Sequence, residues 1–362
     1  MGNLYWRTNN LKKALTYDDI NIVPKYSELG SRSDINTFTR FTKKINLNIP
    51  IVTSPMDTVT EYDMALEMME WGGVGIIHRF MSIEKQSNII LKLHSAEMGS
   101  HWTDEEWSKI PRCAAIGVTG DYLERAQELV NNGCNVIVID VAHGHHKLVG
   151  EAIERIKTKL ETIEVVAGSV ATGEACEYLC EKGADAIRVG IGNGSLCETR
   201  IRTGVGIPQV TALNDCVSVA DSYSTPIIAD GGVRNIGDVC KELASGADSV
   251  MLGSLLSGTK ETPGTIEKIG EWPNEMLHKK YRGSASLDSK HDRGDDKNVE
   301  GNHKVIPYKG KVKRIIQDIQ EGIRSSFSYV GANNISEFHS KVELIEVTRA
   351  GNLEGKPHLL NS

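Results

Sequence analysis

The chain has no apolar run near the roughly 20 residues that a membrane span takes. Its opening residues, MGNLYWRTNNLKKALTYDD, lack the apolar centre of a secretory signal. It also has no CxxC pair. The seven cysteines, at 113, 134, 176, 180, 197, 216 and 240, are scattered and odd in number. That argues against a zinc site or a disulfide framework and for a reducing compartment. Cys176 and Cys180 share ATGEACEYLCEKGA, which reads as one helix face packed inward. Excess basic charge is absent too: the formal net charge is −7. Neither nucleic acid nor an anionic membrane is an expected partner. The expectation is a cytoplasmic protein.

What is present is globular content, 40% hydrophobic and 25% charged over 362 residues, enough for one large α/β domain or two ordinary ones. Short apolar runs recur: IPIVTS (49–54), GVGIIH (73–78), CAAIGV (113–118), NVIVID (135–140), EVVAGS (164–169), AIRVG (186–190), PIIADGG (226–232) and SVMLGS (249–254). None alternates strictly, as expected of strands buried on both faces. Amphipathic stretches separate them, and several end in glycine, the common helix stop. Eight strands with intervening helices predict a (β/α)8 barrel occupying residues 1–362 as a single domain. Two stretches break the rhythm. Residues 79–112 are longer than one crossover needs. Residues 284–304, SASLDSKHDRGDDKNVEGNHK, are too polar to bury much surface and read as a flap on the catalytic face.

In such barrels the active site lies at the C-terminal strand ends. Those ends are Ser54, Met56 and Asp57; His78; Asp140 with His143; Gly168; the 190–200 loop; Asp230, Gly231 and Gly232; and Gly253 with Ser254. ADGGVRNIGD and LGSLLSGT follow the seventh and eighth strands, where barrels commonly bind phosphate through close-approaching backbone N–H groups. GIGNGSLCETR ends the sixth strand beside them. Ser195 there can donate to a phosphate oxygen, and nearby N–H groups and cations would favour a thiolate nucleophile at Cys197. A packing role for Cys197 is the alternative. Asp140 either hydrogen-bonds a ribose diol, as in dinucleotide sites, or caps a turn. His143, His145 and His146 have no acidic partner nearby and do not read as metal ligands.

IRVGIGNGSLCET (187–199) resembles the signature of the inosine monophosphate dehydrogenase and guanosine monophosphate reductase family. YDDINIVP, SPMDTVTE, VIVIDVAHGH, IADGGVRNIGD, VMLGSLLSGTKETPG, IPYKG and IRSSFSYVGA continue the resemblance along nearly the whole chain. It implies a TIM barrel, usually a homotetramer, acting on a purine ribonucleotide (GMP or IMP), with Cys197 attacking C2. Ser54, Ser195, Asp230, Gly231, Gly232, Gly253, Ser254, Tyr281 and Gly283 would hold the nucleotide. Asp140, Gly190 and Gly192 would meet the nicotinamide cofactor. Carbonyls of Gly192, Gly194 and Cys197 would hold a monovalent cation, typically potassium in the dehydrogenase. Thr199 and Glu300 would handle proton transfer, a relay that suits neutral pH.

Which member it is turns on the flap. Typical dehydrogenases carry an Arg-Tyr pair in a longer flap and insert two CBS regulatory modules after strand two. Here the flap is short, its only arginine is Arg293 followed by Gly294, and 79–112 is too short for CBS modules. RTGVG (202–206) resembles the reductase's KTGVG, and Lys297 sits where the reductase has a cation near the base. SPMDTVTE, GIIHRFMSIEKQ, DGGVR and TRAGNLEGKPH look more like bacterial dehydrogenases. The catalytic flap outweighs the scaffold, because hydrolysis fails without a base. The favoured expectation is a GMP reductase using NADPH. The alternatives are an IMP dehydrogenase using NAD and an inactive nucleotide-binding regulator.

Overall fold

A computed structural model describes residues 11–97, 99–270, 274–287 and 299–356. Its centre is a closed barrel of eight parallel strands: β1 Ile51–Thr53, β2 Val74–Ile77, β3 Cys113–Ile116, β4 Val136–Asp140, β5 Glu164–Val170, β6 Ala186–Val189, β7 Ile227–Asp230 and β8 Ser249–Leu252. Each pairs with the next, and β8 closes onto β1 with Val250 opposite Ile51 and Leu252 opposite Thr53. A helix follows each strand: α1 Tyr62–Glu70, α2 Ile83–His94, α3 Tyr122–Asn131, α4 Lys147–Lys159, α5 Gly173–Glu181, α6 Gln209–Ser222, α7 Ile236–Ala244 and α8 Val312–Val330. The expected (β/α)8 barrel is the observed one. The long 79–112 stretch holds α2 and a further short helix, Asp104–Lys109.

The unalternating strand sequences have a direct cause. In β4, Val136 and Val138 point into the barrel with Val52, Val74, Val166 and Ile228. Ile137 and Ile139 point outward among Ile153, Ile156 and Leu129 of the surrounding helices. Both faces are buried, so neither is polar. Helix ends are set locally. Ser82 caps α2 by accepting from the Lys85 N–H, Thr172 caps α5 through Ala175 N–H, and Asn235 caps α7 through Asp238 N–H.

Two additions close the barrel's ends. A hairpin pairing Thr39–Arg40 with Asn46–Leu47 crosses the N-terminal mouth and drives Phe41 and Leu47 into the interior cluster. On the opposite side, a three-stranded antiparallel sheet of Glu267–Ile269, Met276–Arg282 and His303–Pro307 follows β8. The expected flap emerges between the last two of these strands, so it is anchored at both ends by Tyr281 opposite Lys304 and Arg282 opposite His303. Arg293, Gly294 and Lys297 lie outside the described residues. No helix among the described residues is long and apolar enough to cross a membrane.

Candidate active site

The C-terminal strand ends surround a cavity of about 550 Å³. Ser54, Asp140, Gly190, Gly192, Gly194, Ser195, Cys197, Thr199, Asp230, Gly231, Tyr281, Gly283 and Glu300 all line it. Gly232, Gly253 and Ser254 stand just behind this wall. A Cβ on Gly253 would lie 3.3 Å from both Ser54 Oγ and Tyr281 Oη, and Ser254 Oγ donates to the Val233 carbonyl.

Seven cysteines are free, and Cys197 is the one that is not buried. It sits on a turn closed by its own N–H donating to the Gly194 carbonyl at 3.0 Å. The turn begins at Gly190, where φ is +150 and a Cβ would fall 1.8 Å from the Asp230 carbonyl oxygen. Only glycine lets the end of β6 pack so closely on that of β7. Cys197 Sγ lies 3.2 Å from Thr199 Oγ1, and that hydroxyl donates to Glu300 Oε2 at 2.7 Å. Thiol, hydroxyl and carboxylate therefore form a continuous line.

The backbone holds this line together. Glu198 N–H donates to the Glu300 carbonyl at 2.8 Å, and Asn302 N–H donates to the Leu196 carbonyl at 3.0 Å. Cys197 and Gly301 pair as an antiparallel bridge. Tyr281 completes the far wall, its hydroxyl 3.2 Å from Ser195 Oγ. Burial pushes the Tyr281 phenol up, so it stays a hydrogen-bond donor at neutral pH. Asp57 grips Arg282 at 2.7 Å, tying the strand that carries Tyr281 to the end of β1.

Arg188 was not singled out as a site residue by the sequence reading. It projects from β6 between two strand-end carboxylates, 2.9 Å from Asp140 Oδ1 and 3.1 Å from Asp230 Oδ2, and donates to Ser169 Oγ at 2.8 Å. Arg79 reaches Asp140 from the other side at 3.6 Å. Burial opposes ionisation of Asp140, yet Arg188 and Arg79 outweigh it and hold that carboxyl below its usual range. At Asp230 burial wins, with Asp140 adding repulsion, and the carboxyl is raised. A basic residue inside an otherwise apolar strand, AIRVG, was the available signal.

Other strand-end residues serve structure. His78 pairs with Glu61 at 3.1 Å and accepts from Phe80 N–H. His146 caps α4 through Leu148 N–H at 3.1 Å. Among the described residues no group of His, Cys, Asp and Glu could hold a metal ion. Of the three residues expected to hold a monovalent cation, Gly194 and Cys197 share a tight turn closed by Cys197 N–H donating to the Gly194 carbonyl, and Gly192 precedes it in the same loop.

A family model described as the IMP dehydrogenase / GMP reductase domain matches residues 14–358. The chain belongs to this family. An inosine-5′-monophosphate dehydrogenase of Cryptosporidium parvum is 39% identical, covering 97% of this chain and 96% of the relative. One from Borreliella burgdorferi is 36% identical over 96% of this chain and 97% of its own. Among solved structures, a GMP reductase variant from Trypanosoma brucei in complex with guanosine 5′-monophosphate superposes with a TM-score of 0.90. It is 28% identical, with 97% of this chain and 99% of that one covered. The protein is thus a purine nucleotide oxidoreductase of a family that uses nicotinamide cofactors.

Proposed function

We propose that this family member is a GMP reductase, converting GMP, NADPH and a proton to IMP, ammonia and NADP. The observation that carries the reading is the assembled line Cys197–Thr199–Glu300, stitched by the backbone on the same cavity that Asp140 lines. The choice between members rests on the flap: residues 284–304 contain no Arg-Tyr pair, the feature that the resemblance gives to typical dehydrogenases for hydrolysis.

In this scheme Cys197 Sγ bonds to C2 of GMP, and its proton passes through Thr199 Oγ1 to Glu300. Glu300 returns a proton along the same line to the 2-amino group, the C2–N bond breaks, and ammonia leaves. The cofactor, when bound, supplies a hydride to C2. The C2–S bond then breaks with its electron pair returning to sulfur, and a solvent proton restores the thiol. Ser195, Tyr281 and the N–H groups of the Gly231–Gly232 turn and of Gly253 would hold the phosphate, with Asp230 on the ribose. Asp140, Gly190 and Gly192 would face the cofactor. A potassium-like cation on the Gly192, Gly194 and Cys197 carbonyls would stiffen the nucleophile turn.

The IMP dehydrogenase reading is favoured by one finding, the naming of the 39% and 36% identical relatives. A pair of assays separates the two. Loss of reduced-nicotinamide absorbance with ammonia release from GMP and NADPH is the expected result. Reduction of NAD on IMP with no GMP-dependent signal would overturn it. A cytoplasmic homotetramer belongs to the same proposal, and light scattering on the purified protein tests the assembly.

A further inference from the structure

Behind the Gly231–Gly232 turn, on the side away from the cavity, lies a buried acid that the chemistry above does not use. Glu242, on α7, is fully buried. Its Oε1 is hydrogen-bonded to the hydroxyl of Tyr17, and its Oε2 has no partner among the described residues. Tyr17 is itself buried and stands against the turn. Its hydroxyl lies 3.4 Å from the Gly231 carbonyl oxygen, and its ring edge would be 3.2 Å from a Cβ on Gly232. Lys241 fixes Tyr17 from behind by donating to its carbonyl at 2.8 Å. Asp230 and Asp238 are the other ionisable groups whose charge bears on the acid. Asp238 is already paired with Arg234 at 3.1 Å.

Counting hydrogens decides the protonation pattern. A phenol has one hydrogen, and here it faces two oxygens, Glu242 Oε1 and the Gly231 carbonyl. Both contacts are made only if the carboxyl supplies a second hydrogen. Glu242 then donates to Tyr17 Oη, and Tyr17 donates to the Gly231 carbonyl. An ionised Glu242 would take the phenol hydrogen away from the Gly231 carbonyl and leave a buried charge that no cation among the described residues offsets. Burial, the largest influence on this carboxyl, acts in the same direction and raises it far above the usual range.

We infer that Glu242 is a neutral carboxylic acid acting through Tyr17 as a positioning pair for the phosphate-binding turn. By drawing the Gly231 carbonyl away from the cavity, the pair orients a turn whose residues sit at φ +100 and +91, leaving its N–H groups for an oxyanion. The ligand class it serves is a nucleoside monophosphate, and the nucleoside moiety is left untouched.

This rests on the proposed phosphate role of Gly231–Gly232, and calorimetric titration of the full chain with GMP and with guanosine tests the two separately. Glu242→Ala and Tyr17→Phe are each expected to weaken GMP about tenfold, the scale of one hydrogen bond to a charged system, and to leave guanosine unchanged. Glu242→Gln, whose amide can donate to Tyr17 Oη, is expected to bind both ligands like the parent. Equal weakening of GMP and guanosine, or a Glu242→Gln variant as weak as Glu242→Ala, would overturn the inference. If Glu242→Ala does not fold, Tyr17→Phe decides, and parental GMP affinity in that variant overturns it. Gly232→Ala is the control for the underlying reading. If it leaves GMP affinity intact, the phosphate assignment itself fails. If it weakens GMP while Tyr17→Phe does not, only the positioning role fails.

Discussion

At one mouth of the barrel a short hairpin inserts Phe41 and Leu47 among Val52, Val74, Val136 and Val166. At the other, carboxylates, hydroxyls and a thiol ring a cavity of about 550 Å³. The same eight strands run into both. The first end is sealed by apolar packing, so its residues answer to volume. The second is organised by hydrogen bonds and charge pairs among residues from the ends of several strands, so its residues answer to chemistry. One end stabilises the scaffold, and the other gives up part of that stability to buried acids.

Breaking the polar end at its nucleophile should have the largest effect. Cys197→Ala is expected to lower turnover by roughly 10⁴-fold, with thermal unfolding and nucleotide binding near parental values. A matching loss of nucleotide binding would recast Cys197 as a packing residue. The apolar end should behave oppositely. Phe41→Ala is expected to cost about 3–5 kcal/mol of stability in denaturant titration, while turnover per folded molecule is unchanged. A fall in turnover without a stability change would mean that the two ends are not independent.

Glu300→Gln tests the relay at a smaller scale. Turnover should drop roughly 10²-fold, with GMP affinity holding; equal losses would make Glu300 a binding residue. The smallest effect is a pH slope. The folded carboxyl of Glu242 titrates well above its unfolded range, so the folded state holds a proton that the unfolded chain releases. The stability it contributes is complete below the usual glutamate range near 4.3 and declines as pH rises toward the folded value, by at most about 1.4 kcal/mol per pH unit. Denaturation midpoints of the parent and of Glu242→Gln should diverge as pH rises from 5 to 8, roughly, with Glu242→Gln the more stable. Parallel curves would show that the acid is already ionised.

Much of the architecture was legible because burial on both faces leaves a mark that no single face can hide. All eight apolar runs became strands, each ending within a few residues of its expected limit. Cys197 stood out by its place in a glycine-rich loop, whereas Thr199 and Glu300 came from the family resemblance, and the structure brings the three side chains into one line. What stayed hidden depends on distant pairs. Tyr17 and Glu242 are separated by 225 residues, and neither residue type signals a partner. Arg188 gains its meaning from Asp140 and Asp230, contributed by two other strands. The antiparallel sheet after β8 was missed for a different reason. MLHKKYR and HKVIP have half-exposed faces and too many basic side chains to stand out as strands.

The hairpin plug has one more consequence, for traffic. With Phe41 and Leu47 packed into the base, the cavity opens, among the described residues, at the rim of the C-terminal mouth. Every visitor shares that doorway, including the smallest leaving group and the bulkiest cofactor. A substitution on that rim therefore acts on both ligands proposed for the cavity, nucleotide and cofactor alike.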